Sequence, residues 1–228
     1  MQRVDTAEIL DSDLCPPSEI PISLQDLRRI NRWFGGVRTT QALISRVARA
    51  QGLTRLSMLD VAAGFGEVQT IVAQKLSRRG ISLDVTSLDV KPSHLLPGTR
   101  AVAADALHLP FRDNSFDLVG CNLFAHHLGP DALGRFIHEG LRVSRCAVVI
   151  NDLLRHPVHL ALVYAGFAFM RSHVSRVDGV ASVRRAYIPQ EIREIISSAF
   201  RPGQTPHVEI TLHYLFRMGV IVWKDPRS

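Results

Sequence analysis

The sequence predicts an α/β fold, a mostly parallel sheet with helices on both faces and a reversed strand near its end. Three observations predict it. Short runs rich in Val, Leu and Ile alternate with segments of helical period from residue 55 onward, as strands buried on both faces require. The first such run breaks into a glycine turn that opens a helix, "LDVAAGFGEV" (Leu59–Val68). The chain closes on "HVEITLHYLFRMGVIVWK" (His207–Lys224), two strand-like runs about a turn. At 228 residues and 46% hydrophobic content the chain suits one domain with a smaller appendage.

Taken in order, residues 1–21 hold "CPPSEIP" and little apolar period, and read as a leader. "SLQDLRRINRWF" (Ser23–Phe34) is a helix, with Ser23 as N-cap and Leu24, Leu27 and Ile30 at helical spacing. Gly35 and Gly36 stop it, and a second helix, Thr39–Gly52, follows. Residues 1–52 thus form a leader and helical lid, and 53–228 the main domain. "RLSMLDV" (Arg55–Val61) is a strand, and Glu67–Gly80 a helix closed by its terminal glycine. Strands at Ser82–Val90, Arg100–Asp105 and Ser115–Asn122 come next, then a helix at Pro130–Val143 and a strand at Arg145–Asp152. Pro189–Phe200 is helical and precedes the closing hairpin.

"PVHLALVYAGFAFM" (Pro157–Met170) is strongly apolar yet short of the roughly twenty residues that cross a bilayer. It is expected to be a buried helix or an apolar substrate wall, contact with a membrane surface being the lesser alternative. No transmembrane segment is expected. The N-terminus has acids where a signal peptide needs an apolar core, and Cys15, Cys121 and Cys146 form no CxxC, which points to a reducing cytoplasm and no metal site. The formal charge is +6, but the arginines are scattered, so a nucleic-acid partner is disfavoured.

The glycine turn carries the chemistry. Ala62, Ala63, Gly64 and Gly66 fall between strand and helix, where small residues let a ligand reach backbone N–H groups at a helix N-terminus. A dinucleotide fingerprint starting at Gly64 needs glycine at 69, which is Gln69; a phosphate loop needs G-K-[ST], which is missing. The next strand ends in "LDVK", where Asp89 can accept from both hydroxyls of a ribose. The one after ends in "AADALHLPF", where Asp105 can accept from an adenine amine, with Ala106 and Leu107 against the base. Together these describe a nucleoside with a small zwitterionic tail.

"LDVAAGFGEV … LDVK … AADALHLPFRDNSFDLVGCNLFAHHL" resembles the class I S-adenosylmethionine-dependent methyltransferases, and within them the small-molecule branch that includes the ubiquinone and menaquinone biosynthesis enzymes. The resemblance spans Leu56 to Asp152, and D-A-x-x-L-P-F-x-D-x-x-F-D (Asp105–Asp117) is its most specific part. It implies a Rossmann-like seven-stranded sheet with an antiparallel last strand, and S-adenosyl-L-methionine as cofactor. By that likeness Asp60, Ala62, Gly64 and Gly66 hold the methionine end, Asp89 and Val90 the ribose, and Asp105 and Ala106 the adenine. Asn122 would line the pocket. The family often has glycine where this chain has Ala62.

Methyl transfer from a sulfonium needs a base only where the acceptor loses a proton. His126 and His127 follow the fourth strand, and an imidazole near neutrality suits that task, His127 leading. Trp33, Phe34 and Arg38 could close over the cofactor. The insertion around 157–189, with Arg171, His173, Arg176, Arg184 and Arg185 after its apolar half, suggests a greasy pocket with a polar rim. The reading is methylation of oxygen or carbon on a small, mostly apolar cyclic acceptor (a phenol, quinone or polyketide) in secondary metabolism. An RNA methyltransferase and a non-catalytic cofactor-binding partner are the alternatives. Oligomeric state is left open.

Overall fold

In the computed structural model, residues 1–10, 15–64, 66–95, 98–201 and 203–224 are described. Seven strands form one sheet in the order β3-β2-β1-β4-β5-β7-β6. They are β1 (Arg55–Val61), β2 (Ser82–Asp89), β3 (Ala101–Ala103), β4 (Phe116–Asn122), β5 (Ser144–Leu153), β6 (Val208–His213) and β7 (Arg217–Trp223). The helices are α1 (Glu19–Trp33), α2 (Gly36–Ala50), α3 (Glu67–Ser77), α4 (Pro130–Val143), α5 (Pro157–Ala165), α6 (His173–Arg185) and α7 (Pro189–Ala199).

Strands β1 to β5 pair in parallel, and β7 runs antiparallel to both β5 and β6. The reversed strand is therefore inserted between β5 and β6, and the hairpin leaves β6 as the edge. A parallel sheet needs apolar side chains on both faces, and two core clusters result. One centres on Phe136, Leu59, Val119 and Ile150; the other joins Leu43, Ile44 and Val47 of α2 to Met58, Val72 and Ile221. Helix α2 is thus a covering layer of the sheet, and of the two N-terminal helices α1 contributes more of the residues that border the cavity at the strand tips. In β4, a Cβ on Gly120 would stand 2.4 Å from the Met58 side chain and 2.8 Å from that of Val149. Only glycine permits that packing in the middle of the sheet.

The apolar segment from Pro157 does form a helix, followed by a 3₁₀ turn at Gly166–Phe169, but it is not buried. Of α5 only His159 is buried, while Val158, Leu162, Tyr164 and Phe169 are exposed. The expectation of a buried helix is corrected: the sheet's faces are already covered by α2, α3, α4 and α7, which leaves this segment on the outside. Cys15, Cys121 and Cys146 are buried free thiols.

Candidate active site at the strand tips

Because β3, β2, β1 and β4 are parallel and adjacent, their carboxyl ends share one edge. Register fixes the tips: Val61 lies beside Leu88 and Cys121, and Asp89 beside Ala103. A cavity of about 180 Å³ opens there, walled by Asp60, Ala62, Gly64, Gly66, Asn122 and Leu123, with Leu27, Asn31 and Arg32 of α1 above. Ligands of open α/β sheets lodge at this edge.

The loop is held by unusual backbone. Ala62 has φ 53°, Gly64 52° and Gly66 63°, all left-handed. At Ala62 that conformation is disfavoured for a side chain by Cβ crowding, which is the physical reason a glycine suits the position. Leu123, on the facing wall, has φ 54°, and its N–H donates to the carbonyl of Asn151 at 2.9 Å. Strained residues on both walls of one cavity mark it as a place where geometry outweighs local stability.

Asp89 closes the loop. Its Oδ2 accepts from the Gly64 N–H at 3.0 Å and its Oδ1 from the Lys91 N–H at 3.0 Å. Asp60 is fully buried, and its Oδ1 accepts from Gln69 Nε2 at 2.9 Å. Burial pushes its carboxyl up to about 7, partly opposed by the Gln69 bond and aided by the charge of Asp89. Gln69 entered the sequence argument only as a missing glycine; here it is the partner of the buried acid.

Asn122 completes the floor through a polar chain. Asn151 Nδ2 donates to Asn122 Oδ1 at 2.8 Å, to the Gly36 carbonyl at 2.8 Å and to Thr40 Oγ1 at 2.9 Å. The polar pair Asn151–Asp152, ending an otherwise apolar strand, was the available signal for this network and went unread. Asp105 lies at the tip of β3 but outside this cavity wall, largely exposed. It accepts from the Leu107 N–H at 2.9 Å and pairs with His108, and these contacts hold its carboxyl below the usual range. Val90 and Ala106 also lie outside the wall; Val90 is exposed and Ala106 buried.

His126 and His127 sit on the 3₁₀ turn Ala125–His127. His126 is buried, and both its ring nitrogens are engaged: Nδ1 with Asp152 Oδ1 at 2.6 Å and Nε2 with Glu8 Oε1 at 3.2 Å. Burial alone would pull its pKa down; the charge and hydrogen bond of Asp152, joined by Glu8, outweigh that and push it up to about 9. At neutral pH it is an imidazolium between two carboxylates, the reverse of what a base requires. His127 is less buried, with Nε2 3.8 Å from Glu8 Oε1, and its ring stacks on Phe124. Neither histidine lines the cavity. Glu8, His126 and His127 offer ligand atoms within 4.8 Å of one another. Those of Glu8 and His126 are committed to each other, with Ser182 Oγ donating to Glu8 at 2.7 Å.

Other expectations move. Trp33, Phe34 and Arg38 do not line the strand-tip cavity; Leu24, Leu27, Arg28, Asn31 and Arg32 do. Arg28 reaches across to Glu67 at the start of α3, Nε to Oε2 at 2.7 Å, and so ties α1 over the loop. In the insertion, Arg185 is buried and donates to the His127 carbonyl at 2.9 Å, and Arg176 to that of Met170 at 2.9 Å. These two arginines brace the chain rather than form a polar rim.

With this geometry in place, comparison gives the class. Residues 59–146 match the family model described as a methyltransferase domain. The fold is shared with the plantazolicin methyltransferase solved in complex with SAH: TM-score 0.70, 13% identity, 95% of this chain and 93% of that one. Magnesium protoporphyrin IX methyltransferase from Synechocystis PCC 6803, solved with bound SAH, aligns at TM-score 0.53 and 14% identity over 89% of this chain and 94% of that one. Residues 59–146 thus resemble a methyltransferase domain, and the chain has the class I methyltransferase fold. A more particular likeness is to the phthiotriol/phenolphthiotriol dimycocerosates methyltransferase of Mycobacterium tuberculosis, 32% identical over 134 residues, 57% of this chain and 46% of that protein. The chain thus spans less than half the length of the curated relatives it matches.

Proposed function

We propose that this protein transfers the methyl group of S-adenosyl-L-methionine to oxygen or carbon of a small, largely apolar cyclic acceptor. The observation that carries the reading is the order of groups at adjacent strand tips: Asp105 beyond β3, Asp89 ending β2, the left-handed glycine turn after β1 and Asn122 ending β4. Of these, the glycine turn and Asn122 wall the cavity, while Asp89 and Asp105 stand outside that wall. The methionine end lies against Ala62, Gly64 and Gly66, where Asp60 meets its ammonium. Asp89 and Val90 take the ribose, the Asp89 carboxylate accepting from its hydroxyls while also holding the Gly64 and Lys91 N–H groups. Asp105 exchanges its His108 partner for the adenine amine beside Ala106.

The sulfonium is an activated leaving group, so the protein's work is to align the acceptor and exclude water. Alignment of this kind is worth up to about 7–11 kcal/mol in the best cases. Helix α1 serves as the lid. For a hydroxyl acceptor, proton removal falls to His127 rather than His126, with Glu8 placed to stabilise the imidazolium formed. The acceptor must then extend past Leu123 toward the turn that bears His127. Solved relatives that act on porphyrin and plantazolicin, and curated ones that act on phthiotriols, support a non-polymeric substrate. A turnover screen of phenols, quinones and polyketides with labelled cofactor tests this. Methyl transfer to one of them, lost in His127→Ala when the target is a hydroxyl, is the expected result. Transfer only to RNA would overturn it.

A further inference from the structure

The apolar segment that failed to be buried has company. Its first turn lies on the β6–β7 turn, where the rings of His156 and His159 stack on Phe216 at 5.0 and 5.3 Å. The α1–α2 junction meets the same turn: Arg217 Nε donates to the Phe34 carbonyl at 3.2 Å, and a Cβ on Gly35 would stand 3.0 Å from the Tyr214 carbonyl. At the far end, Asp26 of α1 accepts from the backbone N–H groups of Arg171 and Ser172 at 2.9 and 3.0 Å. Three segments, 29–38, 153–171 and 212–217, are thereby gathered at one corner of the molecule.

That corner exposes large apolar side chains. Phe169 is 81% exposed, Trp33 71% and Tyr214 68%, and Leu162 of α5 is exposed as well. A water-soluble surface scatters such residues singly. The charges are one-sided as well. The three segments contain no aspartate or glutamate, while Arg32, Arg38 and Arg171 are exposed. Protruding aromatic and aliphatic groups, flanked by exposed arginines, with the adjacent Asp26 carboxylate buried, match the interface of an anionic bilayer. Indoles and phenols settle at headgroup depth, aliphatic groups enter the acyl boundary, and each guanidinium meets lipid phosphate. No helix among the described residues is long and apolar enough to cross a membrane, so contact at this corner is peripheral.

We propose that this corner, formed by the end of α1, α5 with its 3₁₀ turn, and the β6–β7 turn, rests on an anionic lipid surface. Helix α1 would then have the lipid at its C-terminal end and the cofactor cavity along its side, a short route for an amphiphilic acceptor. Binding itself does not depend on the reaction proposed above, so the two can fail separately.

The test is co-sedimentation of the full chain with vesicles of phosphatidylcholine alone and of equimolar phosphatidylcholine and phosphatidylglycerol. Partition into the anionic vesicles is expected, weakening with added salt. The double variant Leu162→Glu/Phe169→Glu alters only exposed side chains and is expected to lower partition by roughly tenfold or more. Its melting temperature and its affinity for S-adenosylmethionine should match wild type. The proposal is overturned by wild type that stays in the supernatant with both vesicle types, or by the double variant sedimenting as wild type does. It is overturned equally if sedimentation velocity shows a wild-type dimer that the double variant abolishes, since a second copy would then occupy the corner.

Discussion

Raising the pH from 6 to 10 should weaken the fold chiefly through one buried histidine. His126 lies between Asp152 and Glu8, with its pKa pushed up to about 9 against 6.5 in the unfolded chain. A group whose native pKa is raised contributes stability that is complete below the unfolded value and is lost as pH climbs through the native one. The window is therefore about pH 6.5 to 9, and a difference of about 2.5 units at 1.36 kcal/mol per unit gives about 3 kcal/mol. No discount for solvent screening is due, because the ring and Asp152 are both buried. Urea unfolding across the pH range, for wild type and His126→Gln, isolates this contribution from other titrations. Wild type should lose about 3 kcal/mol more than the variant between pH 6.5 and 9. Parallel pH profiles would refute the imidazolium and restore His126 as a candidate base.

Further outcomes follow from the loop and its lid. Ala62→Gly relieves left-handed backbone at φ 53° and should raise stability by about 1 kcal/mol, or about 2–4 °C in Tm by calorimetry. Asp60→Asn removes a buried acid whose raised pKa costs stability as pH rises from 3.8 through about 7. The variant should melt higher at pH 8, by up to about 4 kcal/mol in free energy, yet bind S-adenosylmethionine more weakly by calorimetric titration. Glu67→Gln breaks the half-exposed pair with Arg28, so stability should change by less than about 1 kcal/mol. Stopped-flow release of S-adenosylhomocysteine should nevertheless quicken a few-fold, and high salt should have the same effect on wild type.

Most strand and helix positions were legible because period and turn chemistry are local, although α1 starts at Glu19 rather than after a Ser23 cap, and α6 went unforeseen. "RLSMLDV" gave β1 to the residue, and Gly66 marked the start of α3. The placing of the glycine turn and of Asp89 at strand ends was legible for the same reason. What escaped the sequence was contact between distant segments. Nothing local shows that Glu8 reaches His126, 118 residues away, or that this pairing turns an apparent base into a structural cation. The apolar stretch after Pro157 misled because hydrophobicity reports a preference for leaving water. It does not say whether a core has room, and here the sheet was already covered. On α1 the aromatic residues drew attention, whereas Arg28, Asn31 and Arg32 occupy the helix face that meets the cavity.

Isothermal titration of the purified chain with S-adenosylmethionine and S-adenosylhomocysteine tests the central claim most directly. Saturable one-site binding is predicted for both, with none for NAD(H). Asp89→Ala frees the Gly64 and Lys91 N–H groups and deletes the ribose acceptor, so it should weaken binding roughly tenfold or more. Absence of heat with either compound, or undiminished affinity in Asp89→Ala, would contradict the account.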